Sequence, residues 1–223
     1  MTTRASRSRG MPRHRSAPVA ASSRRPMVLV GGVLALVLVA AVVAVALSGT
    51  TTSGLLEPAG AATGVSGTAL PTFTDPAADA AIGQRIPGLA GTDLEGQPIS
   101  LGPDDGPMVV VLLAHWCAHC QAEVPRLVDH LASVGMPDGV RLVAVSTAID
   151  AARPNYPPSA WLAREGWAVP TLVDDATSSG LAAFGMTSFP GFVFVDREGT
   201  VVQRTTGELP MAAFADAVDA LSP

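Results

Sequence analysis

Six successive apolar residues, Met108–Leu113, form the clearest pattern in this chain, with no polar position to give the run a wet face. Such a run suits a strand buried on both sides of a sheet. Val140–Val145, closed by Ser146 and Thr147, predicts a second buried strand, and Val169–Val173 a third. Between the first two the period changes. Val124, Leu127, Val128 and Leu131 fall at i, i+3, i+4 and i+7, which predicts a helix from about Cys117 to Val134. Ser159–Gly166 reads as a short helix, and Ser178–Phe184 as a helix ended by Gly185. Short strands near 88–90 and 99–101 flank a turn at Glu95-Gly96. Phe192–Val195 and Thr200–Arg204 flank Asp196-Arg197-Glu198-Gly199, a hairpin signal. Pro210 opens a last helix through Met211, Phe214, Val218 and Leu221. Strand–helix–strand–helix followed by a hairpin and a helix predicts a three-layer α/β arrangement around a mixed sheet.

The N-terminal third follows other rules. Residues 1–26 are rich in Arg, Ser and Pro and lack apolar periodicity, so they are expected to be a disordered basic tail. Met27–Leu47 holds no charge and is nearly all Val, Leu, Ala or Gly, about 30 Å of helix and enough to span a bilayer core. Arg24 and Arg25 directly precede it and the next basic residue is Arg85. The positive-inside rule then places the N-terminus in the cytoplasm and everything after Leu47 outside. A cleaved signal peptide is the rival reading, because Ala44-Val45-Ala46 has the form of a cleavage site. Arg24-Arg25 is also open to reading as a twin-arginine export signal. Residues 48–81, rich in Gly, Thr, Ala and Pro, read as a flexible linker, which leaves 82–223 as the folded domain.

Composition sharpens this division. All 14 basic residues are Arg; seven lie in residues 1–26, which contain no acid, while all 19 acidic residues lie beyond. The acidic balance of the folded part argues against nucleic acid as its partner. Abundant Ala with no Lys is associated with GC-rich bacterial genomes.

Cys117 and Cys120 are the chain's 2 cysteines, so they form a site and not a disulfide framework. They follow a buried strand and open a helix. Free N–H groups and the dipole at a helix N-terminus favour an anion, so Cys117 is expected to attack as a thiolate, with Cys120 resolving. A structural disulfide across so short a loop would add little constraint. Zinc would want a second ligand pair, and haem attachment would want His where Gln121 stands. An imidazolium at His119 would favour the dithiol and make the disulfide a better oxidant. His115 with Cys117 and Cys120 leaves a copper-binding reading open. Trp116 is expected to cover the sulfurs and offer apolar surface to a substrate. His130 is expected on the helix surface, and Trp161 and Trp167 have no assigned role.

Trp-Cys-x-x-Cys after a Val-rich strand resembles the thioredoxin superfamily. The stretch Trp116-Cys117-Ala118-His119-Cys120-Gln121-Ala122-Glu123-Val124-Pro125 is similar to its membrane-anchored TlpA/ResA/CcmG branch, where Cys-x-x-Cys-x-x-Glu-x-Pro recurs. The resemblance runs from Ile82 to Pro223 and includes Phe189–Asp196. It implies a thioredoxin-like α/β/α fold with a central mixed sheet, here preceded by one transmembrane helix. It makes Pro190 the cis-proline that aligns an incoming peptide, with Pro170 the lesser candidate, and Phe189 a groove residue where the family often has Thr or Val. It makes Pro125 the kink of the first helix and Glu123 the carboxyl near the cysteines, able to exchange protons with them. Val111 stands where the wider superfamily has a buried Asp. His119 resembles the DsbA-type oxidases; Ala118 departs from both patterns.

The activity implied is thiol–disulfide exchange by an exported, membrane-tethered oxidoreductase, in a reducing direction and with apocytochrome c cysteines as one substrate class. An outward-facing reductant needs a membrane redox partner, because that compartment is oxidising. A DsbA-like oxidase is the alternative direction, and a copper metallochaperone the alternative class. A non-enzymatic binding domain fits poorly with the intact cysteine pair. No metal or organic cofactor is expected beyond the redox-active disulfide Cys117–Cys120.

Overall fold

The computed structural model describes residues 63–222. The expected basic tail, the membrane-length segment 27–47 and residues 48–62 of the expected linker lie outside the described residues. Among the described residues no helix is long and apolar enough to cross a membrane.

The elements run in the order β1 (Gly64–Ser66), β2 (Gly88–Asp93), β3 (Pro98–Leu101), β4 (Met108–Leu113), α1 (Ala118–Ser133), β5 (Arg141–Ser146), α2 (Pro158–Arg164), β6 (Thr171–Val173), α3 (Ser179–Ala183), β7 (Gly191–Val195), β8 (Val201–Thr206) and α4 (Met211–Asp219). One mixed sheet has the order β1-β2-β6-β5-β4-β7-β8, with β3 also paired to β2. β4 runs parallel to β5 and β5 to β6, whereas β7 returns antiparallel beside β4. This is the thioredoxin-like α/β arrangement expected from the sequence.

Side-chain alternation along β4 builds the layers. Val109, Val111 and Leu113 pack with Val124 and Leu127 of α1, Trp161 and Leu162 of α2, and Phe214 and Val218 of α4. Met108, Val110 and Leu112 point the other way, into a cluster with Ala183 of α3, Phe184, Leu70 and Phe73. Every residue of β4 is buried. Trp161 and Trp167 are core residues, and His130 meets Phe214 edge-to-face at 5.4 Å. Pro125 lies inside α1, which continues past it to Ser133.

The expected start of the domain at residue 82 needs correction. Residues 63–81 are an ordered strap that closes the second cluster, with Leu70, Phe73 and Ala81 buried. Leu70 N–H donates to Ala183 O at 2.8 Å and Phe73 N–H to Gly185 O at 2.8 Å. A Cβ on Gly185, whose φ is +63°, would meet Pro71 O at 2.3 Å, so this close crossing requires glycine. Thr63 Oγ1 donates to the buried Asp174 at 3.1 Å. Arg204 of β8, also buried, clasps Asp79 with Nε donating to Oδ2 at 2.9 Å and Nη2 to Oδ1, while Nη1 donates to Phe184 O at 2.8 Å. The strap contains few large apolar residues, which is why it reads as linker. Leu70, Phe73 and the Asp79 carboxylate seat it together with these backbone and Thr63 hydrogen bonds.

The Arg204 guanidinium holds the Asp79 carboxyl below its ordinary range. A carboxyl depressed in this way contributes stability above its unfolded pKa and loses it as pH falls through the folded value. Asp79→Asn strands a buried guanidinium, and urea denaturation of the full chain at pH 7 is expected to show a loss of about 3–5 kcal/mol. The gap between variant and parent is expected to close at acid pH, well below the ordinary carboxylate pKa.

Candidate active site

β4 leads straight into the cysteine turn. Cys117 N–H donates to Ala114 O at 3.0 Å, and Gln121 N–H to Cys117 O at 3.0 Å, the first bond of α1. Cys117 is therefore the N-cap. Its backbone is extended (φ −78°, ψ 121°), and its side chain makes no capping bond. No acidic residue occupies the first turn, so the positive end of the helix faces the sulfur unopposed. Both thiols are free; Cys117 is partly exposed and Cys120 buried. Burial pushes the Cys120 thiol well up from its ordinary range, reinforced by the Cys117 sulfur and Glu123 and opposed by the Ala114 backbone. One sulfur is thus presented to a partner and the other held behind it.

The loop before β7 closes the opposite side. The Phe189–Pro190 peptide is cis, Pro190 is buried and Phe189 partly exposed. A second cis peptide, Tyr156–Pro157, was not anticipated. Cys117 Sγ donates to Phe189 O at 3.7 Å, and Pro190 O accepts from Gly207 N–H at 2.8 Å. Trp116 stands edge-to-face with Phe189 at 5.9 Å, its Nε1–H donating to Ala148 O at 2.8 Å. Arg153 lies over the same indole, 4.4 Å from guanidinium carbon to ring centroid. The accessible sulfur therefore borders a small aromatic rim with one cation. Trp116, Cys117, Phe189 and Pro190 are brought together; Pro170 precedes β6 and belongs to another part of the sheet.

Glu123 is fully buried. Its Oε2 pairs with Arg126 Nη2, and its Oε1 accepts from Leu209 N–H at 3.3 Å. Burial nevertheless raises the Glu123 carboxyl above its ordinary range, against the lowering by Arg126 and Leu209. Arg126 Nη1 also reaches Glu208 Oε2 at 3.3 Å, and Glu208 Oε1 meets His119 Nδ1 at 2.8 Å. The expectation that His119 acts as a cation on Cys117 meets a competitor here. The ring is largely exposed and its partner is the Glu208 carboxylate, which would neutralise an imidazolium.

His115 is not available in the way the copper reading needs. Its Nδ1 donates to Pro154 O at 2.7 Å, and its Nε2 accepts from Asp150 N–H at 3.2 Å, so the buried ring is held as a neutral tautomer. Burial also lowers its pKa. Among the described residues no group of three His, Cys, Asp or Glu is placed to hold a metal ion. The set His115, Cys117 and Cys120 is thus not assembled, because the loop 150–156 uses both imidazole nitrogens.

Sequence reading missed Arg126, Glu208 and Arg153. Arg126 had a visible signal: His119, Glu123 and Arg126 lie at i, i+4 and i+7, one face of α1. Glu208 and Arg153 reach the site from distant loops and had none.

A family model described as Redoxin matches residues 65–221. The thiol-disulfide oxidoreductase ResA of Bacillus thuringiensis (strain Al Hakam) is 27% identical over 128 residues, 57% of this chain and 70% of that protein; ResA of Bacillus anthracis gives the same figures. Among solved structures, the thioredoxin domain of a thiol-disulfide oxidoreductase from Bacteroides vulgatus superposes with a TM-score of 0.52 at 19% identity, covering 64% of this chain and 99% of that one. A thioredoxin-family thiol:disulfide interchange protein from Chlorobium tepidum TLS gives 0.52 at 22% identity, over 65% and 99%. The structures share the fold, the family match runs from the strap to the last helix, and the chain belongs to the Redoxin family.

Proposed function

We propose that this chain is an exported, membrane-tethered thiol–disulfide oxidoreductase that reduces disulfides in protein substrates, apocytochrome c cysteines among the candidate class. The observation that carries the reading is the unequal cysteine pair: Cys117 accessible at a helix N-terminus against the Pro190 loop, Cys120 buried behind it. Similarity to ResA supports the thiol–disulfide chemistry, and the sequence 27–47 supports the tether. The pairing of His119 with Glu208 weakens the one argument that favoured a DsbA-like oxidase.

In this mechanism the Cys117 thiolate attacks one sulfur of a substrate disulfide. A mixed disulfide forms and a substrate thiolate leaves. Cys120 then gives up its proton and attacks Cys117 Sγ, which releases the second substrate thiol and closes Cys117–Cys120. A dithiol partner protein in the membrane restores the reduced pair by the reverse exchange. The resolving thiol is the difficult participant, because burial disfavours its thiolate. Glu123, one helical turn on and itself raised by burial, is suited to take that proton. Trp116 and Phe189 offer apolar contact, and the loop at Pro190, which leads into β7, is suited to align a substrate peptide beside Cys117.

Cys117→Ser is expected to abolish reduction of a protein disulfide, whereas Cys120→Ser is expected to accumulate a mixed disulfide visible on non-reducing gels. A reduction potential near −270 mV for the pair fits a reductant, and one near −120 mV would reverse the assigned direction. Failure to form any reversible disulfide would remove the oxidoreductase reading altogether.

Glu123→Gln is expected to slow the resolving step by about 10²-fold, the lower end for general base catalysis. In the parent protein that step should quicken as pH rises through the elevated Glu123 titration, because the carboxylate is the base. Stopped-flow measurement of mixed-disulfide decay across pH should show this rise vanish in the variant; an unchanged profile would remove Glu123 from the mechanism.

A further inference from the structure

The buried Glu123 is joined to the surface by a line of alternating charges. Arg126 pairs with it on one side, Glu208 pairs with Arg126, and His119 pairs with Glu208. Three of the four side chains come from one face of α1, and the fourth from the loop between β8 and α4. The guanidinium does not deprotonate in proteins, so this line is not a proton wire. A proton cannot pass from His119 to Glu123 through Arg126. What passes along it is electrostatic, set by how one guanidinium is shared between two carboxylates.

We propose that Arg126 and Glu208 are positioning residues for the proton on Glu123: Arg126 favours the buried carboxylate, and Glu208 limits that effect by holding part of the same guanidinium. The proposal rests on Glu123 being the group that exchanges protons with the cysteine pair. Sharing is visible in the geometry. Nη2 serves Glu123 and also donates to Leu209 O at 3.4 Å, while Nη1 lies 3.3 Å from Glu208 Oε2. The charged and titratable groups bearing on Glu123 are Arg126 and Cys120 of α1, and Glu208 with the Leu209 N–H from the loop before α4; Cys117 at the N-cap bears on Cys120, and His119 on Glu208. β4, packed against this face of α1, presents only Val109, Val111 and Leu113. Among the described residues, Arg126 is the cation paired with Glu123, and Glu208 is the anion that competes for it.

The two residues should act with opposite sign. Without Arg126, Glu123 loses its counter-charge and should hold its proton to higher pH. Without the Glu208 charge, Arg126 serves Glu123 alone, and the proton should leave at lower pH. A merely structural role for either residue would not produce opposite shifts.

The test is a carboxyl ¹³C NMR titration of the reduced full chain, labelled at glutamate, with Glu123→Gln identifying the resonance. Arg126→Gln is expected to raise the Glu123 midpoint by about 1–3 pH units, the range for a neighbouring opposite charge. Glu208→Gln is expected to lower it by a smaller amount, and Arg126→Lys to return it most of the way to the parent value. A midpoint that stays in place, or that moves in the same direction in Arg126→Gln and Glu208→Gln, overturns the proposal. Should Arg126→Gln fail to fold, the exposed Glu208→Gln decides alone: a downward shift supports the proposal, and no shift or an upward one overturns it. The titration reads Glu123 directly. A chain with no reversible disulfide would refute the activity and leave this electrostatic result standing on its own.

Discussion

The antiparallel pairing of β4 with β7 is the constraint on which the site depends. β4 is buried on both faces, so a slip of one residue would send every side chain to the wrong core. Its register is therefore firmly specified, with Leu112 opposite Gly191 and Met108 opposite Val195. Because the strands run in opposite directions, the end of one lies beside the start of the other. The cysteine turn leaves the end of β4, and the proline loop enters at the start of β7. Two segments more than seventy residues apart are thus delivered to one end of the central strands, and Cys117 meets Phe189 there. The apolar core is not a passive support. Its alternation aligns the two loops whose contact makes the chemistry possible.

The fold treats buried charge in two ways. Arg204 and Asp79 are both buried and hydrogen-bonded to each other and to the backbone, and Asp79 is held firmly ionised. Glu123 is also buried and also paired with an arginine, yet burial outweighs the pairing and the carboxyl is raised. Desolvation is the leading influence at Glu123, whereas the Arg204 hydrogen bond leads at Asp79. Arg204 is enclosed and gives both of its carboxylate-facing donors to Asp79, whereas Arg126 is partly in solvent and shared with Glu208. One pair fastens the strap; the other leaves a buried carboxyl raised above its ordinary range.

Much of the fold was legible from hydrophobic spacing. Met108–Leu113 is a strand over the expected residues, and the helix expected from about Cys117 to Val134 is observed at Ala118–Ser133. These elements bury long periodic runs, so local pattern and tertiary environment agree. The strap escaped notice because its seating depends on Leu70, Phe73 and Asp79, which sit in no regular apolar period and whose partners lie far along the chain. The separation of Asp79 from Arg204 is 125 residues. The cysteines, Trp116 and Pro190 were readable because their chemistry is local or marked by residue type. Glu208, which sets the surroundings of both His119 and Arg126, was not, since a single exposed glutamate in a loop carries no pattern until the fold brings it to α1. The same holds for His115, whose neutrality is decided by backbone groups of a distant loop.

The seated strap also changes what can be cut away. A chain trimmed to begin at Ile82 would lose Leu70 and Phe73, laying open the apolar face they cover, and would lose Asp79, leaving the buried Arg204 without its carboxylate. Residues 63–81 therefore belong to the folding unit and not to a spacer.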